Sequence, residues 1–255
     1  MKITKTAKLP LELCRGSVVQ RQKNMDTMSD AFFTEILDCF EGRKDVPFKD
    51  IFACMRKIIP TKIFLQQMTK QPVHAAITEG YNKKGNIVGY LLHLPIVKFS
   101  TRKNVVDYKE IGTICHEGNH LFYYLNNPKL MARKLIMRQK GCDLHDIQDF
   151  YTATIYTDRR TNMSAFAKNL KEFLHTKPPG EQIDCLQYWR YQIQTENIAY
   201  KREMQDFKKL KKINRDLYDM QEMPMKPSEF RFNMKQKIIE KMLGKTIQKE
   251  RNSVV

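Results

Sequence analysis

The chain has 255 residues, with 45 Lys+Arg against 28 Asp+Glu, a net charge of +17, 42% apolar and 29% charged residues. That mixture is globular, not disordered, and the length allows a core that needs no disulfide staples. No apolar run reaches the roughly 18 residues that cross a bilayer; the longest, Ile87 to Val97, is broken by Gly89, His93 and Pro95.

Residues 1–25 hold six Lys/Arg and one Glu, and the basic start leads into no apolar signal region, so a cytoplasmic chain is the expectation. Six cysteines lie far apart with no CxxC pair, which reads as reduced, buried thiols. Ser29-Asp30 can cap a helix to Glu41 that Gly42 stops, and Lys49 to Ile59 reads as a second helix ended by Pro60. Val73–Tyr81, the turn Asn82-Lys83-Lys84-Gly85 and Asn86–Leu94 read as a β-hairpin, with Gly85 supplying a positive φ. Helical periodicity then returns over about 107–125, 129–140, 143–157, 163–175, 181–220 and 228–243. The expected fold is a mostly helical α+β chain with a small hairpin or sheet ahead of the helix over 107–125. A loose segment 1–25 and a tail 245–255 would flank a single domain over 26–244.

The chemistry concentrates in His116-Glu117-Gly118-Asn119-His120, an HExxH. On a helix the two histidines stand one turn apart and both can reach one Zn²⁺. Glu117 is rotated by about 100° from His116, beside the metal and not on it, where a base takes a proton from water. Ile111, Ile114, Gly118, Leu121, Phe122 and Leu125 make an apolar stripe on the same helix, with the histidines roughly opposite. Gly118 inside that stripe implies a close crossing by another element.

A catalytic zinc needs a third protein ligand. The extended pattern HExxHxxGxxH fails at Tyr123 and Asn126, so that ligand comes from elsewhere. Glu196 is the preferred candidate: it falls inside the stripe Leu186, Trp189, Ile193, Tyr200, Met204, Phe207, Leu210 and Ile213, and a carboxylate on a buried face demands a cation. His145, Asp146, Asp149, Glu203 and His175 are the alternatives, with Glu203 equally suited to orient a histidine.

His116, Glu117 and His120, with the later segment Glu196-Asn197-Ile198-Ala199-Tyr200, resemble a zincin metallopeptidase of the gluzincin kind. The resemblance spans residues 86–203 and rests on five or six positions. It departs from the family where Tyr200 replaces an acidic residue, and where 76 residues separate His120 from Glu196. It implies a zinc-dependent peptidase acting on peptide or protein, an edge strand at 86–94 that binds substrate by strand addition, and a Tyr or His donor at the oxyanion. Tyr200 is the preferred donor, with Tyr191, Tyr188 and His175 behind it. The other reading is a catalytically inactive, basic zincin-like protein that binds nucleic acid or another anionic partner through residues 201–255, where fifteen Lys/Arg outnumber eight Asp/Glu. No zinc finger, RNP pattern or GXXG clamp supports a dedicated nucleic-acid module.

Overall fold

A computed structural model describes residues 17–58, 63–68, 76–81, 87–95, 105–127, 130, 163–221 and 229–253. The chain divides into two compact units, one from residues 1–128 and 199–224, the other from 129–198 and 225–255. The architecture is mostly helical α+β with a small sheet ahead of the HExxH helix, as the periodicity implies.

The first unit opens with α1 (Val18–Phe40), which starts well before the expected Ser29-Asp30 cap. Ser17 is the actual cap, its Oγ accepting from Gln20 N at 3.2 Å. Ser29 lies mid-helix and buried on the face that carries Met25, Phe32, Phe33 and Ile36. The helix ends where expected: Glu41 closes it, and Gly42 takes φ 67°, a left-handed conformation that glycine adopts without Cβ strain. Strand β1 (Asp45–Pro47) leads directly into α2 (Phe48–Ile58), which buries Ile51, Cys54 and Met55.

β2 (Ile63–Met68), β3 (Ala76–Tyr81) and β4 (Ile87–Pro95) form a three-stranded sheet in the order β2-β4-β3. The hairpin is present: β3 and β4 pair antiparallel with Thr78 opposite Leu91. The edge-strand expectation is overturned. β2 pairs parallel to β4 with Leu65 opposite Leu92, so β4 is central and its backbone is hydrogen-bonded on both sides. Among the described strands of this sheet, β2 and β3 are the ones with an edge to which an extended peptide could add. Gly85, within the turn, lies outside the described residues, as do the helices expected over 129–140 and 143–157.

β5 (Val105–Asp107) pairs antiparallel with β1, Val106 opposite Val46, both fully buried. A 3-10 turn over Tyr108–Glu110 leads into the HExxH helix α3 (Ile111–Asn126). Every residue of α3 except Thr113 is buried. The expected single stripe is therefore only part of the picture, because neighbours cover the histidine side as well. A Cβ on Gly118 would stand 2.5 Å from Cε1 of the buried Phe32 ring, so α1 crosses α3 at the glycine. Phe32 also meets Phe122 edge to face, centroids 5.5 Å apart.

That crossing sets an expected result. Gly118→Ala gains about 1 kcal/mol of helix propensity but overpacks a ring that is 1% exposed. Overpacking costs about 1–3 kcal/mol, so a net loss on the order of 1 kcal/mol is expected in denaturant unfolding. A gain in stability would mean that Phe32 swings aside.

α4 (Met163–His175) and the long α5 (Pro179–Ile213) follow. The second unit draws its core from Phe166, Leu170 and Leu174 of α4, Leu186, Trp189 and Ile193 of α5, and Ile239 and Leu243 of the last helix. α5 stops at Ile213 and does not run on to 220. Asn214 breaks it and caps α6 (Arg215–Asp219), its Oδ1 accepting from Leu217 N at 3.0 Å. The last helix, α7 (Glu229–Ser253), continues ten residues past the expected end. No described helix is long and apolar enough to cross a membrane.

Candidate metal centre

α3 and α5 supply the site. Gly112 lets them approach, since a Cβ there would lie 2.6 Å from Cζ of Phe207 and 3.3 Å from Oε1 of Glu203. On α5, Glu196, Tyr200 and Glu203 follow at helical spacing of four and three, which places them along one side of the helix.

His116, His120 and Glu196 each offer a ligand atom within 4.8 Å of the other two, and all three are buried. The Nε2 atoms of the two histidines lie 3.1 Å apart. A tetrahedral ion with bonds of about 2.0–2.1 Å holds its donors roughly 3.4 Å apart, so the pair is spaced to share one ion. His116 Nδ1 lies 3.0 Å from Glu203 Oε2. That contact fixes the tautomer: with the proton on Nδ1 held by Glu203, the Nε2 lone pair faces the group. Two imidazoles and a carboxylate with a carboxylate behind one imidazole is a donor set that fits zinc.

Glu117 is buried on α3 at 6% exposure and stands outside the three-ligand group. Tyr200 packs its ring edge against His116, centroids 4.4 Å apart. Tyr188 is buried and its hydroxyl accepts from Gln192 Nε2 at 2.7 Å, while Tyr191 lies under the Arg190 guanidinium. His175 is exposed at the end of α4. His145, Asp146 and Asp149 lie outside the described residues.

The surroundings are rich in buried charge. Asp206, one turn beyond Glu203, is pushed up to about 7 chiefly by burial, against the opposing pull of Arg202, Lys209 and Asn119 and with help from Glu203. Burial also raises the Cys115 thiol well above its ordinary range, with Asp206 and Glu203 adding to it. Cys115 is therefore an inert thiol and not a nucleophile. Arg202 is itself buried, and pairs with Asp26 at 3.6 Å, Asp206 at 3.7 Å and Asp30. These pairs, with Lys209 on Asp30, tie α5 to α1. No sequence pattern announces this carboxylate–arginine cluster, because its members look like solvated helix charges until α1 and α5 are packed together.

Glu203→Gln keeps the shape but removes the charge behind His116. Metal affinity is expected to fall about 10- to 100-fold in a competition titration against a chromophoric chelator, with helical content unchanged. Unaltered affinity would show that the contact at Nδ1 does not tune the imidazole.

No known protein family, curated protein or solved structure matches this chain.

Proposed function

We propose that this chain is a zinc-dependent metallopeptidase in which His116, His120 and Glu196 hold the metal and Glu117 is the general base. The observation that carries the reading is the convergence of three buried ligand atoms within 4.8 Å, two from an HExxH helix and one from a helix distant in sequence. A zinc ion held there would supply a Lewis acid that acidifies water and polarises a carbonyl.

The chain's own residues account for the rest. Glu203 holds the His116 ring in one tautomer through Nδ1. Glu117, next to His116 on the helix, takes a proton from water and returns it to the leaving amine. Burial on every side of α3 lowers the local dielectric, which strengthens each of these electrostatic contacts. Tyr200, against His116, is the proposed donor to the developing oxyanion. Since β4 is central, an extended peptide substrate would lie along β2 or β3.

The test is hydrolysis of an unfolded protein substrate by the zinc-loaded chain, followed by mass spectrometry of the fragments. Cleavage that a chelator stops and zinc restores supports the proposal. Metal binding without cleavage of any peptide, while small esters or amides turn over, would move the substrate away from peptides.

A further inference from the structure

The outward face of α7 carries Lys237, Lys241, Lys245 and Lys249, all exposed and each four residues from the next. At about 1.5 Å of rise per residue they stand about 6 Å apart and span about 18 Å of helix. The opposite face is the packed one, with Lys235, Ile239 and Leu243 buried. None of the four lysines has an ion pair or side-chain hydrogen bond among the described residues. Glu240, an exposed carboxylate on this helix, is engaged by Gln236 Nε2 at 3.2 Å. Arg251 adds a further exposed cation near the helix end.

Like charges at i,i+4 oppose helix formation. A helix that keeps three such pairs in a row, with Glu240 the one carboxylate among them and already engaged by Gln236, holds a local conflict that this single charge only partly offsets. A partner of opposite charge would relieve it. We infer that the Lys237–Lys249 ridge is a docking surface for the phosphate backbone of nucleic acid, bound without regard to sequence. The charge is complementary and the ridge is linear. Phosphates follow one another at about 3.4 Å of axis on each strand of a duplex, so 18 Å of ridge faces several phosphates in succession. No large apolar residue of α7 between 233 and 251 is exposed, which disfavours insertion of this stretch into a lipid surface. The inference does not depend on the metal centre.

The experiment measures binding of the full chain to a random-sequence DNA duplex between 50 and 300 mM salt. Each phosphate neutralised contributes about 0.9 to the slope of log K against log salt. Replacing Lys237, Lys241, Lys245 and Lys249 together with Gln should lower that slope by about 3 to 4. Replacing four exposed lysines elsewhere, Lys23, Lys44, Lys49 and Lys171, removes equal charge and should lower it by less than 1. An equal fall in both variants would overturn the inference in favour of diffuse net charge, as would absence of binding at 50 mM salt. Salt-sensitive binding to phosphatidylserine vesicles without binding to the duplex would also overturn it and assign the ridge to a membrane surface.

Discussion

Purified without added metal, the chain is expected to carry one zinc ion, and His120→Ala and Glu196→Ala to carry none. The physical reason is the charge balance around α3. Glu117, Glu196, Glu203 and Asp206 are all buried at 3–6% exposure, and among the described residues Arg202 is a cation buried beside Asp206. Removing an ion from water costs several kcal/mol even after the protein relaxes. A dication beside two imidazoles and Glu196 offsets part of that cost and orders both helices. Because metal binds the folded chain, holding free zinc at 100 times its dissociation constant should add about 2.7 kcal/mol of stability. A chelator should therefore lower the unfolding temperature of the wild type and leave both variants unmoved. Zinc retained by Glu196→Ala but lost from His120→Ala would transfer the third ligand to Asp146, Asp149 or His145. No zinc in the wild type, even after incubation with it, would sink the peptidase reading.

The parts of the fold legible in sequence are those set by local pattern. α2, α3 and α4 follow from periodicity and breakers, and the β3–β4 hairpin from two apolar runs around a glycine turn. The start of α1 is hard to place from local pattern because Ser29-Asp30 has the chemistry of a cap, while the weaker signal at Ser17 precedes two exposed valines, Val18 and Val19. Nonlocal pairing was hidden. β2 joins β4 in parallel across more than twenty residues, and nothing within residues 63–68 announces the partner. The three-residue β1–β5 pair is shorter than any periodicity can register. The burial of α3 on all sides is likewise a tertiary fact, since its amphipathic pattern alone implies one covered face.

The candidate centre divides along the same line. His116 and His120 are spaced by the helix itself, so one turn of sequence is enough to pair them. Glu196 was legible only as an anomaly, a carboxylate among apolar positions, and its closeness to the histidines depends on how α5 packs. Glu203 was legible as an acid at helical spacing, but its contact with His116 Nδ1 needs the close approach that Gly112 allows. Arg202 had no sequence signature because its partners Asp26 and Asp30 lie on α1, more than 170 residues away.

Glu117→Gln separates catalysis from binding. The amide is nearly isosteric with the carboxylate and lies outside the three-ligand group, so zinc content and unfolding temperature should match the wild type. General base catalysis contributes about 10²- to 10⁴-fold, so the rate of peptide cleavage should fall by at least 10²-fold with little change in substrate affinity. This loss should appear in kcat and kcat/KM together, because proton transfer is made only in the transition state. His120→Ala, by contrast, should lose activity and metal at once, and added zinc should not restore it. If Glu117→Gln keeps both its zinc and its full activity, the base lies elsewhere and the HExxH helix serves the metal alone. If it loses zinc, Glu117 belongs among the ligands and the Glu196 carboxylate becomes the candidate base.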